Sequence, residues 1–379
     1  MRGGLRRLQG KRAGHREPRL HARTFGAKRN TPKTREPRAD AERINPATEG
    51  TPLMRFLLDP EQRAFGDSLN AMLAAADTPS VVRDWSRGEH ARGRALWSRI
   101  AEAGVFALAV AEAYEGLGPR PVELAVAFVE LGRHAVPGPL VETVAAAILL
   151  ADLADPGPAE RLLPALASGE AVATLAWKGP YALDGDVATT RLALTRPGLL
   201  LSPGHGPVRP SLDPARRLTP LEPGGELLGR DPATARALAY ARLATAAQAL
   251  GVGQALLDRT VAHVGRRTQF GVPIGSFQAV KHRLADARIG LEFARPLLFG
   301  AALTMAPADI AAAKVTACEA AYAAARTALQ LHGAIGYTAE YDLSLWLTKA
   351  RALRTAWGEP DVCRAEVLRA HALSGDRRW

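Results

Sequence analysis

The feature that most constrains the fold is a segment of about 60 residues, 171–231, which interrupts a chain otherwise patterned as helix. Within it, residues 171–177 and 187–194 form short β-like runs, and glycine and proline cluster between them. Outside it, apolar residues recur at helical spacing, as over 124–131, where positions i, i+3, i+4 and i+7 are apolar. This order of segments predicts a mainly α fold with a small β domain.

The same change from helical to β-like sequence pattern gives the predicted domain boundaries. We expect an N-terminal α-helical domain over residues 54–170, a middle β domain over 171–231 and a C-terminal helical bundle over 232–379. Residues 1–53 lack apolar periodicity and are rich in Arg, Pro, Gly and Thr, so we expect a disordered basic extension there. A translation start assigned too far upstream, with the natural beginning near Met54, would account for it.

The net charge of +11 is concentrated in this extension. Residues 1–50 contain 14 Lys or Arg and 5 Asp or Glu, a net +9, which leaves +2 for the rest of the chain. A basic terminal segment is consistent with a nucleic-acid tail or a transit peptide, but it says little about the folded part. We therefore expect no nucleic acid among the partners.

Two helix starts can be read from local capping signals. Asp59 followed by Pro60, and Asp231 followed by Pro232, each match an N-cap residue with proline in the first turn. The first would begin the N-terminal helical domain, and the second would begin the long helix of the C-terminal bundle.

Several function classes are excluded by what the sequence lacks. It has no uninterrupted run of about 18 apolar residues, so we expect no membrane span. Its two cysteines, Cys318 and Cys363, lie in helical sequence and are typical of a reduced cytoplasmic protein. No set of His, Cys, Asp or Glu at ligand spacing indicates a metal.

Residues 266–278 are the first segment with a possible binding chemistry, and read Arg-Arg-Thr-Gln-Phe-Gly-Val-Pro-Ile-Gly-Ser-Phe-Gln. We expect a helix to end in the arginine pair, a Gly/Pro turn to follow, and a polar-capped helix to begin. Arginine can bind phosphate through two hydrogen bonds, and the N-terminus of the next helix adds backbone N–H donors. An ordinary corner between two helices would show the same pattern.

Residues 330–340 are the second such segment, and read Gln-Leu-His-Gly-Ala-Ile-Gly-Tyr-Thr-Ala-Glu. Two glycines three residues apart after a helix let the backbone approach a ligand closely, and their N–H groups can surround an anion. Many helix C-termini look similar, so this segment alone also fits a structural cap.

Together the two segments resemble the flavin-binding signatures of the acyl-CoA dehydrogenase family. Residues 114–118, Tyr-Glu-Gly-Leu-Gly, and 130–133, Glu-Leu-Gly-Arg, resemble a loop and helix of the same family. The resemblance covers about residues 55–373. It implies that family's fold, with a reduced middle β domain and a C-terminal four-helix bundle. It also implies FAD as cofactor, an acyl-CoA substrate and an electron-transfer flavoprotein as oxidant.

The resemblance also assigns residues to the flavin, which family members hold across a subunit interface. By position, Arg267 would bind the pyrophosphate. The other implied flavin contacts, on the adenine side or from the neighbouring subunit, are Gln269, Phe270, Gln278, Gln330, Leu331, Gly333 and Ala334. Ala334 stands where the family usually has a second glycine. Asp258 and Arg259 match a family segment near the acyl-CoA.

The base that should remove the substrate's α-proton is missing from both positions where the family keeps it. Alignment on residues 349–351 and Gly358 places Trp357 at the usual glutamate position, and the alternative position on the long helix is Ala241. Neither side chain can accept the proton. Glu359, two residues beyond the first position, could serve only if the loop were shifted.

Two functions are consistent with this pattern. The chain could catalyse FAD-dependent α,β-dehydrogenation of an acyl-CoA thioester as one subunit of a homo- or hetero-oligomer. Alternatively, it could be a non-catalytic flavin- or acyl-CoA-binding partner subunit of a heteromeric dehydrogenase. The second reading resembles a bacterial subgroup built from two unlike chains, in which one chain supplies the base.

Overall fold

The computed structural model describes residues 57–374, so the predicted extension over 1–53 lies outside the described residues. Six α-helices form the first part of the described chain and pack around a shared apolar core. They are α1 (Pro60–Ala74), α2 (Thr78–Ser86), α3 (Ala91–Glu102), α4 (Pro121–Arg133), α5 (Leu140–Ala151) and α6 (Gly157–Ala167).

A small β module follows these helices. Its strands are β1 (Ala173–Ala176), β2 (Tyr181–Leu183), β3 (Thr190–Thr195), β4 (Gly198–Leu201), β5 (Leu218–Pro220) and β6 (Glu226–Gly229). Four of them form one sheet in the order β1-β3-β4-β6, in which only the β1–β3 pair is parallel, and β2 pairs with β5 separately. These strands lie where the sequence predicts β structure.

Helices fill the rest of the described chain. They are α7 (Ala235–Arg266), α8 (Gln278–Thr304), α9 (Pro307–His332), α10 (Leu343–Thr355) and α11 (Pro360–Ser374). A short hairpin, β7 (Thr268–Gln269) and β8 (Val272–Pro273), stands between α7 and α8. The mainly α fold with a small β module is confirmed, whereas the division into separate domains stays a prediction.

Of the two predicted helix starts, one is confirmed and one is wrong. Asp59 caps α1, because its side chain accepts from the Gln62 backbone while the Gln62 side chain accepts from the Asp59 backbone. Asp231 instead adopts a left-handed conformation, with φ of 45°, and α7 begins only after Thr234. The chain turns out of β6 at this point, and the turn takes precedence over the local capping signal.

Helices α4 and α7 cross with their backbones in direct contact. A Cβ atom on Gly251 of α7 would lie 1.8 Å from the Val129 carbonyl oxygen of α4. Reciprocally, a Cβ on Gly132 of α4 would lie 2.0 Å from the Gln248 carbonyl oxygen of α7. Only glycine fits at these two positions, so the close crossing of the helices accounts for Gly132 in α4 and Gly251 in α7.

Buried polar contacts join the β module to the N-terminal helices. The Trp85 indole, which is fully buried, donates from Nε1 to Asp184 Oδ1 at 3.1 Å. Nearby, Arg217 of the β module lies 2.6 Å from Nε2 of His90, just before α3, and also pairs with Asp186 of its own module at 2.8 Å. Burial raises the pKa of Asp184 to about 8, so this carboxyl group is largely protonated near neutral pH.

Candidate functional site

A cleft of about 420 Å³ lies where the β module, the first turns of α7 and the α10–α11 loop meet. Its walls are mostly apolar and aromatic, with charged groups at a few places. The lining includes Leu175, Trp177, Tyr181, Leu238, Arg242 and Trp357, together with Glu142 of α5 and Arg216 of the β module. An apolar pocket with a few converging polar groups is the usual form of a small-molecule site.

Trp357, at the family's base position, makes three contacts that hold it in place, and its neighbour Gly358 makes a fourth. Its indole Nε1 donates to Glu142 Oε1 at 3.3 Å, and its ring lies 5.5 Å from that of Trp177. Its carbonyl oxygen accepts from Arg242 Nε at 3.1 Å, and the next carbonyl, of Gly358, accepts from Lys314 Nζ at 2.7 Å. These contacts support a left-handed backbone, with φ of 57°, that a tryptophan rarely adopts.

The other two sequence candidates for the base lie differently around this cleft. Glu359 also lines it, but the residue is exposed to solvent. Ala241 is fully buried, one residue before Arg242, whose guanidinium forms an ion pair with Glu366 at 2.6 Å. The carboxylate buried inside the cleft belongs instead to Glu142. Sequence reasoning missed Glu142 although it is the one charged residue of the apolar α5 sequence, because an acidic residue in the first turn of a helix is common for electrostatic reasons alone.

The predicted flavin-binding arginine segment forms an exposed arm at the far end of α7. The β7–β8 hairpin closes on a backbone bond from Ile274 N to Arg267 O. At its tip, Phe270 is 92% exposed and has a φ of 53°, and its ring lies 6.2 Å from that of Phe277. Gln269 and Gln278 are exposed on the same arm.

The second predicted flavin segment lies beside this arm. His332, at the end of α9, stacks on His263 in the last turn of α7 with ring centroids 4.0 Å apart. Burial lowers the pKa of both imidazoles, which favours the neutral, stacked pair. The stack therefore brings the two sequence signatures together at one end of the bundle. Gln330, Gly333 and Ala334 are exposed there, and Leu331 is half-buried.

The two residues predicted near acyl-CoA lie between the cleft and the arm, on the surface of α7. Asp258 forms an ion pair with Arg133 of α4 at 3.3 Å. The Arg259 guanidinium lies 3.7 Å from the ring centroid of Trp346, so part of it is already used in packing. Neither residue lines the cleft.

Over the described residues, no group of three or more His, Cys, Asp or Glu could hold a metal ion. In the same part of the chain, every helix is too short or too polar to cross a bilayer.

The N-terminal domain of the acyl-CoA dehydrogenases matches residues 59–170, and the C-terminal domain of the same family matches residues 230–372. The acyl-CoA dehydrogenase IpdE2 of Mycobacterium tuberculosis is 34% identical over 313 residues, which cover 82% of this chain and 95% of that protein. The chain belongs to the acyl-CoA dehydrogenase family. IpdE2 of Mycolicibacterium smegmatis is 32% identical over 303 residues, covering 79% of this chain and 95% of the relative.

Solved structures of the family show the same fold. The ChsE4–ChsE5 complex from Mycobacterium tuberculosis superposes with a TM-score of 0.74 at 25% identity, over 86% of this chain and 100% of that chain. Butyryl-CoA dehydrogenase from Megasphaera elsdenii gives a TM-score of 0.73 at 21% identity, over 84% and 100% of the two chains. The predicted family fold is confirmed.

FAD is the cofactor of acyl-CoA dehydrogenases, and the arm of this chain fits its adenosine-pyrophosphate part. Arg267 is exposed, and no ion pair involves it within residues 57–374. A Cβ built on Gly271 or Gly333 would meet no atom within 4 Å, so both backbones face open space that a ligand can occupy. An exposed arginine and an exposed aromatic ring beside open backbone match a nucleotide's phosphates and base.

Proposed function

We propose that the chain takes part in FAD-dependent α,β-dehydrogenation of an acyl-CoA thioester as one subunit of an oligomer. The observation that carries this proposal is the distance between cleft and arm. Arg242, at the cleft, and Arg266, before the arm, stand 24 residues apart on α7. At 1.5 Å per residue they are about 36 Å apart, farther than one extended FAD molecule spans.

A chain's own arm therefore cannot hold the adenosine of a flavin whose ring lies in the same chain's cleft. The arm is instead placed to hold the nucleotide of a flavin bound by a neighbouring subunit. Arg267 would contact the pyrophosphate, and the surrounding set would hold the adenosine, comprising Gln269, Phe270, Gln278, Gln330, Leu331, Gly333 and Ala334. Asp258 and Arg259 stay the proposed contacts to acyl-CoA.

When bound, FAD supplies the acceptor for the hydride that leaves the acyl β-carbon. The chain's own residues bind and orient the acyl group in the apolar cleft and exclude water from it. We further propose an electron-transfer flavoprotein as the oxidant and the cytoplasm as the setting. The buried, unpaired thiols Cys318 and Cys363 are consistent with a reducing compartment.

The purified protein is the first test. We expect a yellow preparation whose visible flavin absorption bleaches when acyl-CoA is added without an oxidant, from oligomers and not from monomers. Size-exclusion chromatography with absorbance at the flavin maximum measures both properties. A monomer that binds FAD and reduces it with acyl-CoA would contradict the shared site.

A second function is favoured by one specific observation, the indole at the base position. In this alternative the chain is a non-catalytic partner whose arm binds the nucleotide of a flavin held by an unlike subunit. The mixed complex would then contain one FAD for every two chains. This chain, purified without its partner, would be colourless. Flavin-to-protein stoichiometry with and without a coexpressed partner separates the two functions.

Replacing Arg267 with alanine should weaken FAD binding about 10- to 100-fold. A hydrogen bond to a charged group contributes about 1.5–3 kcal/mol, and each 1.4 kcal/mol is about tenfold in affinity. Quenching of FAD fluorescence during titration of the oligomer measures the dissociation constant. Arg266→Ala makes the same charge change one residue away, in the last turn of α7, and should have a much smaller effect. Equal losses from both variants would show a general charge effect and not a bound pyrophosphate.

A further inference from the structure

Glu142 is a carboxylate placed inside the cleft by a part of the chain that carries none of the family signatures. It lies in the first turn of α5 and is only 4% exposed. Buried carboxylates are rare unless they are paired or functional, because transfer from water is costly. Its position in the cleft wall therefore requires an explanation.

The contacts of Glu142 bring it to the side chain at the family's base position. Its Oε1 accepts from Trp357 Nε1 at 3.3 Å, although the two residues are 215 positions apart in the sequence. An Arg216 terminal nitrogen lies 3.7 Å from the same oxygen and supplies a positive charge. Its second oxygen, Oε2, is buried and has no hydrogen-bond partner among the described residues. One oxygen is thus held by Trp357 and Arg216, while the other has no hydrogen-bond partner within residues 57–374 that would compete for a proton.

We propose that Glu142 is the catalytic base of this chain and replaces the glutamate that is absent at position 357. This inference rests on the proposed function, since it requires an acyl-CoA in the cleft. Trp357 then has a positioning role, because its N–H orients the carboxylate and its ring closes the cleft beside Trp177.

Glu142 takes the proton from the acyl α-carbon, and the C–H electron pair becomes the new Cα–Cβ π bond. The β-hydrogen would leave with its electron pair as hydride, for which FAD, when bound, would be the acceptor. Glu142, now protonated, later releases its proton to water when the product departs. The acyl group loses one proton and one hydride, which is two electrons in total.

The other carboxylates near the cleft are less suitable. Glu359 lines it but is exposed, so water would compete for its oxygens. Asp184 and Asp213 are also buried, yet neither lines the cleft. A base must reach the proton that it removes, and of these carboxylates Glu142 is the one that is both buried and part of the cleft lining.

Exchange of the acyl α-hydrogen with solvent tests this assignment independently of turnover. The FAD-loaded oligomer, with its partner if it requires one, is incubated in D₂O without oxidant with butanoyl-CoA, octanoyl-CoA or cyclohexylacetyl-CoA. Mass spectrometry then follows deuterium in the acyl group. Glu142→Gln should slow exchange by at least about 100-fold, and Glu142→Asp should retain part of it. The glutamine keeps an acceptor for Trp357, so acyl-CoA affinity, measured by calorimetry, should change little.

Glu160→Gln, an exposed carboxylate on α6, is the matched control and should exchange at the wild-type rate. Wild-type exchange in Glu142→Gln, or a loss confined to Glu359→Gln, would overturn the assignment while leaving the proposed function intact. If the wild-type oligomer binds no FAD and exchanges none of the three thioesters, the proposed function fails, and the role of Glu142 fails with it. A large fall in melting temperature with loss of acyl-CoA binding in Glu142→Gln would reassign Glu142 to a structural role.

Discussion

Replacing Gly251 with alanine should destabilise the protein by about 3 kcal/mol or more, at or beyond the upper end of ordinary overpacking. The new methyl group would sit 1.8 Å from the Val129 carbonyl oxygen, and two neighbouring backbone atoms lie 2.8 Å away. No rotamer change can relieve a contact with backbone, so α4 and α7 would have to separate. Chemical denaturation with circular dichroism measures the free energy of unfolding.

Gly265→Ala is the matched control, because it makes the same change in the same helix. A Cβ there meets nothing within 4 Å. Alanine has the higher helix propensity, so this variant should be unchanged or up to about 1 kcal/mol more stable. Similar losses from both variants would show that α7 tolerates no side chain at its glycines for reasons other than the crossing with α4.

The stability of the wild-type protein should fall as pH rises toward 8 because of Asp184, and Asp184→Asn should remove this dependence. Burial is the largest cause that raises the pKa of Asp184, from 3.8 in the unfolded chain to about 8 in the folded protein. The bond from Trp85 and the charge of Arg216 oppose the shift, and Asp186 and Glu142 add to it. Asparagine can still accept the Trp85 hydrogen bond but cannot ionise.

The direction of this pH dependence follows from how many protons the folded and unfolded states bind. Between about pH 4 and 8 the folded protein holds a proton on Asp184 that the unfolded chain has released, so raising the pH favours unfolding. The favourable contribution is complete below the unfolded pKa and is lost as pH rises through the folded one. The slope is about 1.4 kcal/mol per pH unit. The advantage of Asp184→Asn over wild type should therefore grow at that rate from roughly pH 5 to 8.

Urea denaturation at several pH values measures the difference in slope. Asp155→Asn removes an exposed carboxylate that accepts a hydrogen bond from the nearby Gly157 backbone, and its curve should stay parallel to wild type. A parallel curve for Asp184→Asn would show that Asp184 is ionised in the folded protein. The result bears on function, because Asp184 joins α2 to the β module that forms one wall of the cleft.

The arm and the cleft, the two parts of the proposed site, require different features of the chain. The arm requires exposed side chains and exposed backbone. Its residues are suited to a nucleotide whichever subunit holds the flavin ring. The cleft needs a carboxylate in the correct place, and the family's usual positions do not provide one. A catalytic chain and a scaffold chain would therefore share the arm and differ at Glu142, Trp357 and Arg216.

The sequence alone determined the helices, the β module, the family and the place of the arm in the chain. These features depend on local patterns, such as helical spacing and glycine turns. The segments around Arg267 and Gly333 are also short and continuous in the sequence. Local signals also failed once, at Asp231, where a turn out of the sheet displaced the expected cap by a few residues.

Only the tertiary structure decided which side chains meet. Packing brought Glu142 against Trp357 across 215 residues, stacked His263 on His332, and set the cleft and the arm at opposite ends of α7. Such contacts depend on how whole helices cross, and the crossing of α4 and α7 is fixed by two glycines whose need is visible only when both backbones are placed. A sequence read position by position shows that a base is missing at 357, and the fold shows which carboxylate lies there instead.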